Sequence, residues 1–247
     1  MHLSSSTRAT QPTQTTTAAS RNSSLTALAD SGGLSNVESL AIRLNTINEV
    51  FNRADDRRGL FTAVYAPSVK RLVHAVQSGA VQDVATAERL MLALGKRYLA
   101  GLAAHIEGRP STWDSFYRVA AEESESDTRV LASSFNAHLT LDLVEALVEI
   151  RAPASFAPDL QIIGQLLADE VTAQVASPNG PNGQRLTTVM ERQGLVRVFD
   201  RVFGVGASFR TGMATVLSEA SASTQFPWPV QGARARWSVR EQLLSLT

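Results

Sequence analysis

Two side chains able to move a proton stand four residues apart in an otherwise apolar stretch: His138 and Asp142, in Phe135-Asn136-Ala137-His138-Leu139-Thr140-Leu141-Asp142-Leu143. On a helix, positions i and i+4 share a face, so these two side chains can work together. In such a pair the carboxylate orients the imidazole and stabilises its charged form, which leaves the imidazole as general acid or base.

The element that carries the pair decides what it means. From Asn136 to Leu143 polar and apolar residues alternate, which is the period of a half-buried strand. The continuation Val144-Glu145-Ala146-Leu147-Val148-Glu149-Ile150 breaks the alternation with good helix formers, so the segment reads as a helix. Asp127 and Thr128 offer N-cap oxygens before it, and Pro153 lies beyond its end. At about 100° per residue, His138, Asp142, Glu145 and Glu149 fall within an arc of roughly 60°. That stripe is either a solvated face, as charged stripes usually are, or a polar wall lining an internal cavity, where burial shifts pKa values.

Other chemistries find no support. There is no phosphate-binding Walker loop, no Gly-x-Ser-x-Gly elbow and no His-Glu-x-x-His helix. Gly204-Val205-Gly206 begins like a dinucleotide fingerprint, but Phe209 stands where the third glycine belongs. Of the four histidines, His74 and His105 are the ones that would have to join His138 and Asp142 in a metal site. Helical histidines without a supporting motif are more often surface or capping residues, so the expectation is no metal and no cofactor.

The 247 residues are 44% hydrophobic and 19% charged, enough apolar content for one large buried core. The 23 basic and 23 acidic residues balance, which argues against nucleic acid as a partner. Cysteine is absent, and with it disulfides, thiolate nucleophiles and zinc-thiolate sites. Ser and Thr make up nearly half of the first 28 residues, so residues 1–34 are expected to form a disordered tail.

From residue 35 the pattern is helical. Helices are expected over 37–54, 61–76, 86–106, 112–121, the His138 segment, 160–175, 186–203, 209–222 and 237–246, with a turn-rich loop at Pro178-Asn179-Gly180-Pro181-Asn182-Gly183. The fold class is all-α: a single multi-helix globular domain over 35–247 behind the tail, with no span long enough for a membrane. A cytoplasmic location is expected, and nothing in the sequence fixes an oligomeric state.

A series of short motifs adds to this reading. Phe61-Thr62-Ala63-Val64-Tyr65, Ala87-Glu88-Arg89-Leu90 with Arg97-Tyr98, Trp113, Asn136-Ala137-His138 with Asp142-Leu143, and Arg234-Ala235-Arg236-Trp237 occur in that order. The series resembles the DUF5995 family of uncharacterised helical proteins over roughly residues 37–247. The chain departs from it at Ser134-Phe135, where a small or flexible pair is expected, and in the Pro/Gly-rich loop near 180. The resemblance implies a helical domain in which Arg97, Tyr98, Asn136, His138 and Asp142 form a shared polar centre; Asn136, Trp113 and Tyr65 are the residues expected to bind substrate. His138 and Asp142 then face inward, and Arg97 or Tyr98 polarises a substrate oxygen. The expected function is a cofactor-independent enzyme of cyclase, isomerase or hydro-lyase type, acting on a small, largely apolar molecule of specialised metabolism. The alternative is a non-catalytic helical ligand-binding or interaction module whose polar centre only fixes helix packing. An empty pocket favours the first, and a filled core around a satisfied His138 the second.

Overall fold

The computed structural model describes residues 22–203 and 229–245, and all their regular structure is helical. Residues 22–29 form α1, followed by a 3₁₀ turn at Ser31–Gly33. Then come α2 (Val37–Arg53), α3 (Gly59–Gln77), α4 (Val84–Ile106), α5 (Asp114–Ala121) and α6 (Asp127–Phe135). A π-helix over Asn136–Asp142 runs straight into α7 (Leu143–Glu149), and α8 (Ala157–Ala176), α9 (Gly180–Phe203) and α10 (Pro229–Ser245) complete the domain. No described helix is long and apolar enough to cross a membrane.

Local chemistry sets the ends. The Asn36 side chain accepts from Ser39 N at 2.8 Å while the Ser39 hydroxyl accepts from Asn36 N, a reciprocal cap that starts α2 where the sequence predicts. Helix α6 is capped by Ser126, whose hydroxyl accepts from Arg129 N at 3.1 Å. Asp127, the expected cap, is instead the first helical residue, and its carboxylate takes Arg57 Nε at 2.9 Å.

Helix α3 is the centre of the fold. It is buried on nearly every side and packs against α2, α4, α6, α8 and α9. Its Phe61 joins Tyr98 of α4 and Trp113 and Phe116 at α5 in a fully buried aromatic cluster, with ring centroids 4.9–6.5 Å apart. Gly101 admits the Trp113 ring, since a Cβ there would overlap the indole.

Two sequence expectations change. The loop expected at 178–183 is already helical from Gly180 onward. Gly180 takes a φ of 70°, its missing Cβ leaves room for Asn52, and Pro181 sits in the first turn, where no N–H is needed. Asn182 then locks the start: its backbone N–H donates to Asn52 Oδ1 at 3.1 Å and its side chain donates to Asp56 O at 2.9 Å. At the other end, α1 lies inside the stretch expected to be tail, with Leu25 and Ala29 buried in the core. Two apolar side chains four residues apart give this short helix a face to bury despite its Ser/Thr-rich surroundings. The remainder of the expected tail, residues 1–21, lies outside the described residues, as do the expected helix over 209–222 and the Gly204-Val205-Gly206 motif.

Candidate functional site

The π-helix carries the pair. Leu143 N–H donates to His138 O, an i→i+5 bond that inserts one extra residue into the turn joining α6 to α7. All seven residues of this segment are buried, His138 at 6% exposure and Asp142 at 2%. Its polar side chains therefore point into protein on every side, and the alternation that resembled a strand marks a helical segment with no solvated face.

His138 and Asp142 are neighbours without a hydrogen bond. Nδ1 lies 4.0 Å from Asp142 Oδ2 and has no partner within the protein. Asp142 Oδ2 accepts from the Trp113 indole Nε1 at 3.0 Å. Around the imidazole stand Tyr65, Phe61 and Trp113, with centroids 4.6, 5.1 and 6.2 Å from it. Burial in this aromatic shell drives both groups toward neutrality. It lowers His138 from 6.5 to about 3. It raises Asp142 from 3.8 to about 7, opposed by the Trp113 hydrogen bond and the Arg97 charge and assisted by Glu145.

His138 is among the residues that line a cavity of about 70 Å³ between α3, α4, α8 and the π-helix. Its walls are almost entirely hydrocarbon, among them Val69, Leu90, Met91, Leu139, Leu143 and Ile163; His138, Tyr65 and Ser68 also belong to the lining, but the Tyr65 hydroxyl and His138 Nδ1 are closed off from it. The volume is several times the ~10–15 Å³ that holds one water.

The expected site residues divide into four groups. His138, Asp142, Tyr65 and Trp113 are together. Tyr98 is fully buried one shell away, 5.2 Å from Trp113 between ring centroids, and its hydroxyl has no partner. Asn136 faces α10: its side-chain nitrogen donates to Glu241 Oε1 at 2.8 Å and to Trp237 O at 3.1 Å. Arg97 is not brought to the pair. It holds Glu145 at 2.8 Å and Glu149 at 2.6 Å, and Arg234 of α10 reaches the same Glu145 at 2.8 Å. The predicted stripe is thus split. Its His138–Asp142 half is buried, and its Glu145–Glu149 half forms a rim of ion pairs.

Sequence reasoning missed Glu241, whose carboxylate also meets the Ser115 hydroxyl and lies 3.9 Å from the buried Arg129. No spacing rule links residues that far apart in the chain. It also missed Ser68 in the cavity wall, whose hydroxyl donates to Val64 O at 2.7 Å. Among the described residues no group of His, Asp or Glu side chains is arranged to hold a metal ion. His74 is exposed, and His105 stacks on Tyr117 at 4.1 Å with its Nε2 3.2 Å from Arg58 Nη1.

Fold and site together define an all-α protein with a buried histidine–carboxyl pair on a π-helix at the wall of an apolar cavity. The chain belongs to the family of unknown function DUF5995, whose model matches residues 37–193. That stretch contains His138, Asp142, Trp113 and the whole cavity lining, while Arg234-Ala235-Arg236-Trp237 lies beyond it. No curated protein and no solved structure matches the chain.

Proposed function

We propose that this protein is a cofactor-independent acid/base enzyme, of cyclase, isomerase or hydro-lyase type, acting on a small and largely apolar molecule through His138 and Asp142. The observation that carries the reading is the position of the imidazole, with Nδ1 toward Asp142 at 4.0 Å and the ring on the wall of an apolar cavity. Below about pH 7 the pair holds one transferable proton, on Asp142, beside a neutral imidazole. As negative charge develops on a bound oxygen, His138 gives its Nε2 proton to that oxygen and takes the Asp142 proton at Nδ1. Asp142 is left as a carboxylate held by the Trp113 indole, and the imidazole ends neutral as it began. A rotation closing the 4.0 Å gap to hydrogen-bond length is needed before the proton passes. Arg97, engaged by two glutamates, takes no part in this scheme.

π-turns within α-helices are rare and recur at functional sites, which supports the reading. So does a buried imidazole nitrogen left without a partner, since native proteins seldom tolerate one. The test is incubation with a panel of neutral alkenes, alcohols and carbonyl compounds in D₂O, read by mass spectrometry. Deuterium incorporation or a new product by the wild type, lost in His138→Ala and Asp142→Asn, is the expected result. Equal conversion by all three proteins refutes it.

The alternative is a non-catalytic module in which the pair only braces the π-helix. The close aromatic packing about His138 favours it, and the mutational melts described below distinguish the two.

A further inference from the structure

Two helical stripes form most of the cavity wall. On α3 the lining residues recur at intervals of three and four from Phe61 to Leu72, and on α8 at the same intervals from Leu160 to Val171. Each stripe is one face of about three turns, roughly 16 Å of helix. The stripes are staggered. Arg71 of α3 meets Glu170 of α8 at 3.5 Å, which sets Val171 near the Leu72 end of the first stripe. Asp159, which precedes Leu160, accepts from the backbone N–H groups of Gln82 and Asp83 at 3.0 and 2.7 Å, beyond the end of α3. The α8 wall therefore continues away from His138, whose ring packs on Phe61 and Tyr65 at the opposite end. A volume of about 70 Å³ extended between these ends is long and narrow.

The lining offers no charge and little hydrogen bonding. None of the described residues in it is an Asp, Glu, Lys, Arg, Asn or Gln. The Ser68 hydroxyl is committed to Val64 O, and the Tyr65 hydroxyl and His138 Nδ1 are closed off. An ion entering this space would shed its hydration and meet no counter-charge. A hydrocarbon leaves water favourably and gains contacts along the whole wall.

We propose that the cavity is a channel for one unbranched hydrocarbon chain, laid along α3 with an end toward His138, and that it rejects branched or charged ligands of the same size. The inference goes beyond the acid/base reading and stands without it, because the channel holds a chain equally well if His138 and Asp142 only brace the fold. Met91, flexible and unbranched, lets the wall adjust to the chain.

The experiment is an NMR titration of the full chain at pH 7, in sealed tubes, with four ligands of six non-hydrogen atoms: n-hexane, its branched isomer 2,2-dimethylbutane, pentylammonium and butanoate. The expected result is saturable binding of n-hexane, at least about tenfold tighter than that of the other three, since a wall shaped for a chain is overpacked by a quaternary carbon. Intermolecular NOEs from bound hexane should reach both Leu139, next to His138, and Leu72 at the far end of the α3 stripe. Val69→Phe, which fills the channel partway along, should abolish hexane binding. Should that variant fail to fold, the wild-type NOEs carry the same decision. Binding of 2,2-dimethylbutane or of either ion as tight as that of n-hexane overturns the proposal. So do NOEs confined to one end, hexane binding unchanged in a folded Val69→Phe, or no saturable hexane binding. Each of these results leaves the proton-transfer reading to its own deuterium-incorporation test.

Discussion

The Trp113 indole donates a hydrogen bond of 3.0 Å to Asp142 Oδ2, and both side chains are almost wholly buried. Trp113 comes from the start of α5 and Asp142 from the end of the π-helix, so this bond ties the aromatic core to the proton-carrying group. It also opposes the effect of burial on Asp142. Trp113→Phe should therefore raise the Asp142 pKa further and cost about 1–3 kcal/mol for the orphaned oxygen, with an added penalty for lost packing. Chemical denaturation together with carboxyl NMR measures both; an unchanged pKa would show that the indole does not tune the acid.

The pair makes an unusual prediction for stability against pH. At pH 5 in the unfolded chain Asp142 is ionised and His138 is protonated, whereas in the fold both are neutral, so each state binds one proton in total. The folded pKa of Asp142 is raised, so its contribution is present at low pH and lost as pH rises from about 4 to about 7. The folded pKa of His138 is lowered, so its contribution is present above 6.5 and lost as pH falls toward about 3. Between about 4 and 6.5 the two slopes cancel in the wild type. Relative to it, His138→Ala should lose stability as pH rises through this window, and Asp142→Asn should lose stability as pH falls. Each slope approaches ~1.4 kcal/mol per pH unit, the value for one proton. Melts of the two variants and the double mutant across pH 4 to 7 check this; parallel curves for all four proteins would mean that the pair does not titrate abnormally.

The same melts separate enzyme from brace. In a functional pair His138→Ala removes activity or ligand binding with little loss of stability at neutral pH. In a structural pair it costs about 1–3 kcal/mol and leaves binding intact.

Arg97 provides a contrast. Its partners Glu145 and Glu149 form a partly exposed rim, so Arg97→Ala should cost no more than about 1 kcal/mol and leave binding of a neutral probe unchanged within a factor of two or so. NMR titration with n-hexane decides the matter, and a loss of binding comparable to that of His138→Ala would return Arg97 to the site.

How much of this was legible in the sequence follows from which forces act locally. The helical periods of α2, α3, α4 and α8 are written in their apolar spacing, and Asn36 marks the start of α2 because capping depends on residues next to each other. The His138–Asp142 pair was legible for the same reason. From the residue pattern alone its burial was not, and only the family resemblance implied it, because α6 and α7 are packed by α10, α4 and α5 from distant parts of the chain and an i→i+5 bond leaves no distinct pattern of residue types. Arg97 is adjacent to Tyr98 in sequence, yet their side chains leave α4 about 100° apart, so one reaches the rim and the other the core. The Gly180 start of α9 escaped notice because its stabilising partners, Asn52 and Asp56, come from a distant part of the chain.

The buried Leu25 changes what removal of the N-terminal stretch should do. Deleting residues 1–21 should leave the melting temperature within a few degrees, while deleting residues 1–33 removes Leu25 and Ala29 from the core and should lower it markedly. Leu25→Ala alone should cost about 2–4 kcal/mol. Thermal melts of the three proteins test this, and equal midpoints would show that α1 does not stabilise the domain.

The central claim is that His138 and Asp142 are both neutral over much of the acid range and hold one transferable proton at the cavity wall. Carbon-13 NMR titration of the Asp142 carboxyl carbon, with the His138 ring followed in parallel, tests it most directly. The account predicts that Asp142 titrates near pH 7 and that His138 shows no protonation of its own from pH 7 down to about pH 4. An Asp142 carboxyl that ionises near its ordinary value of 3.8, beside a His138 that protonates near 6.5, would contradict the account.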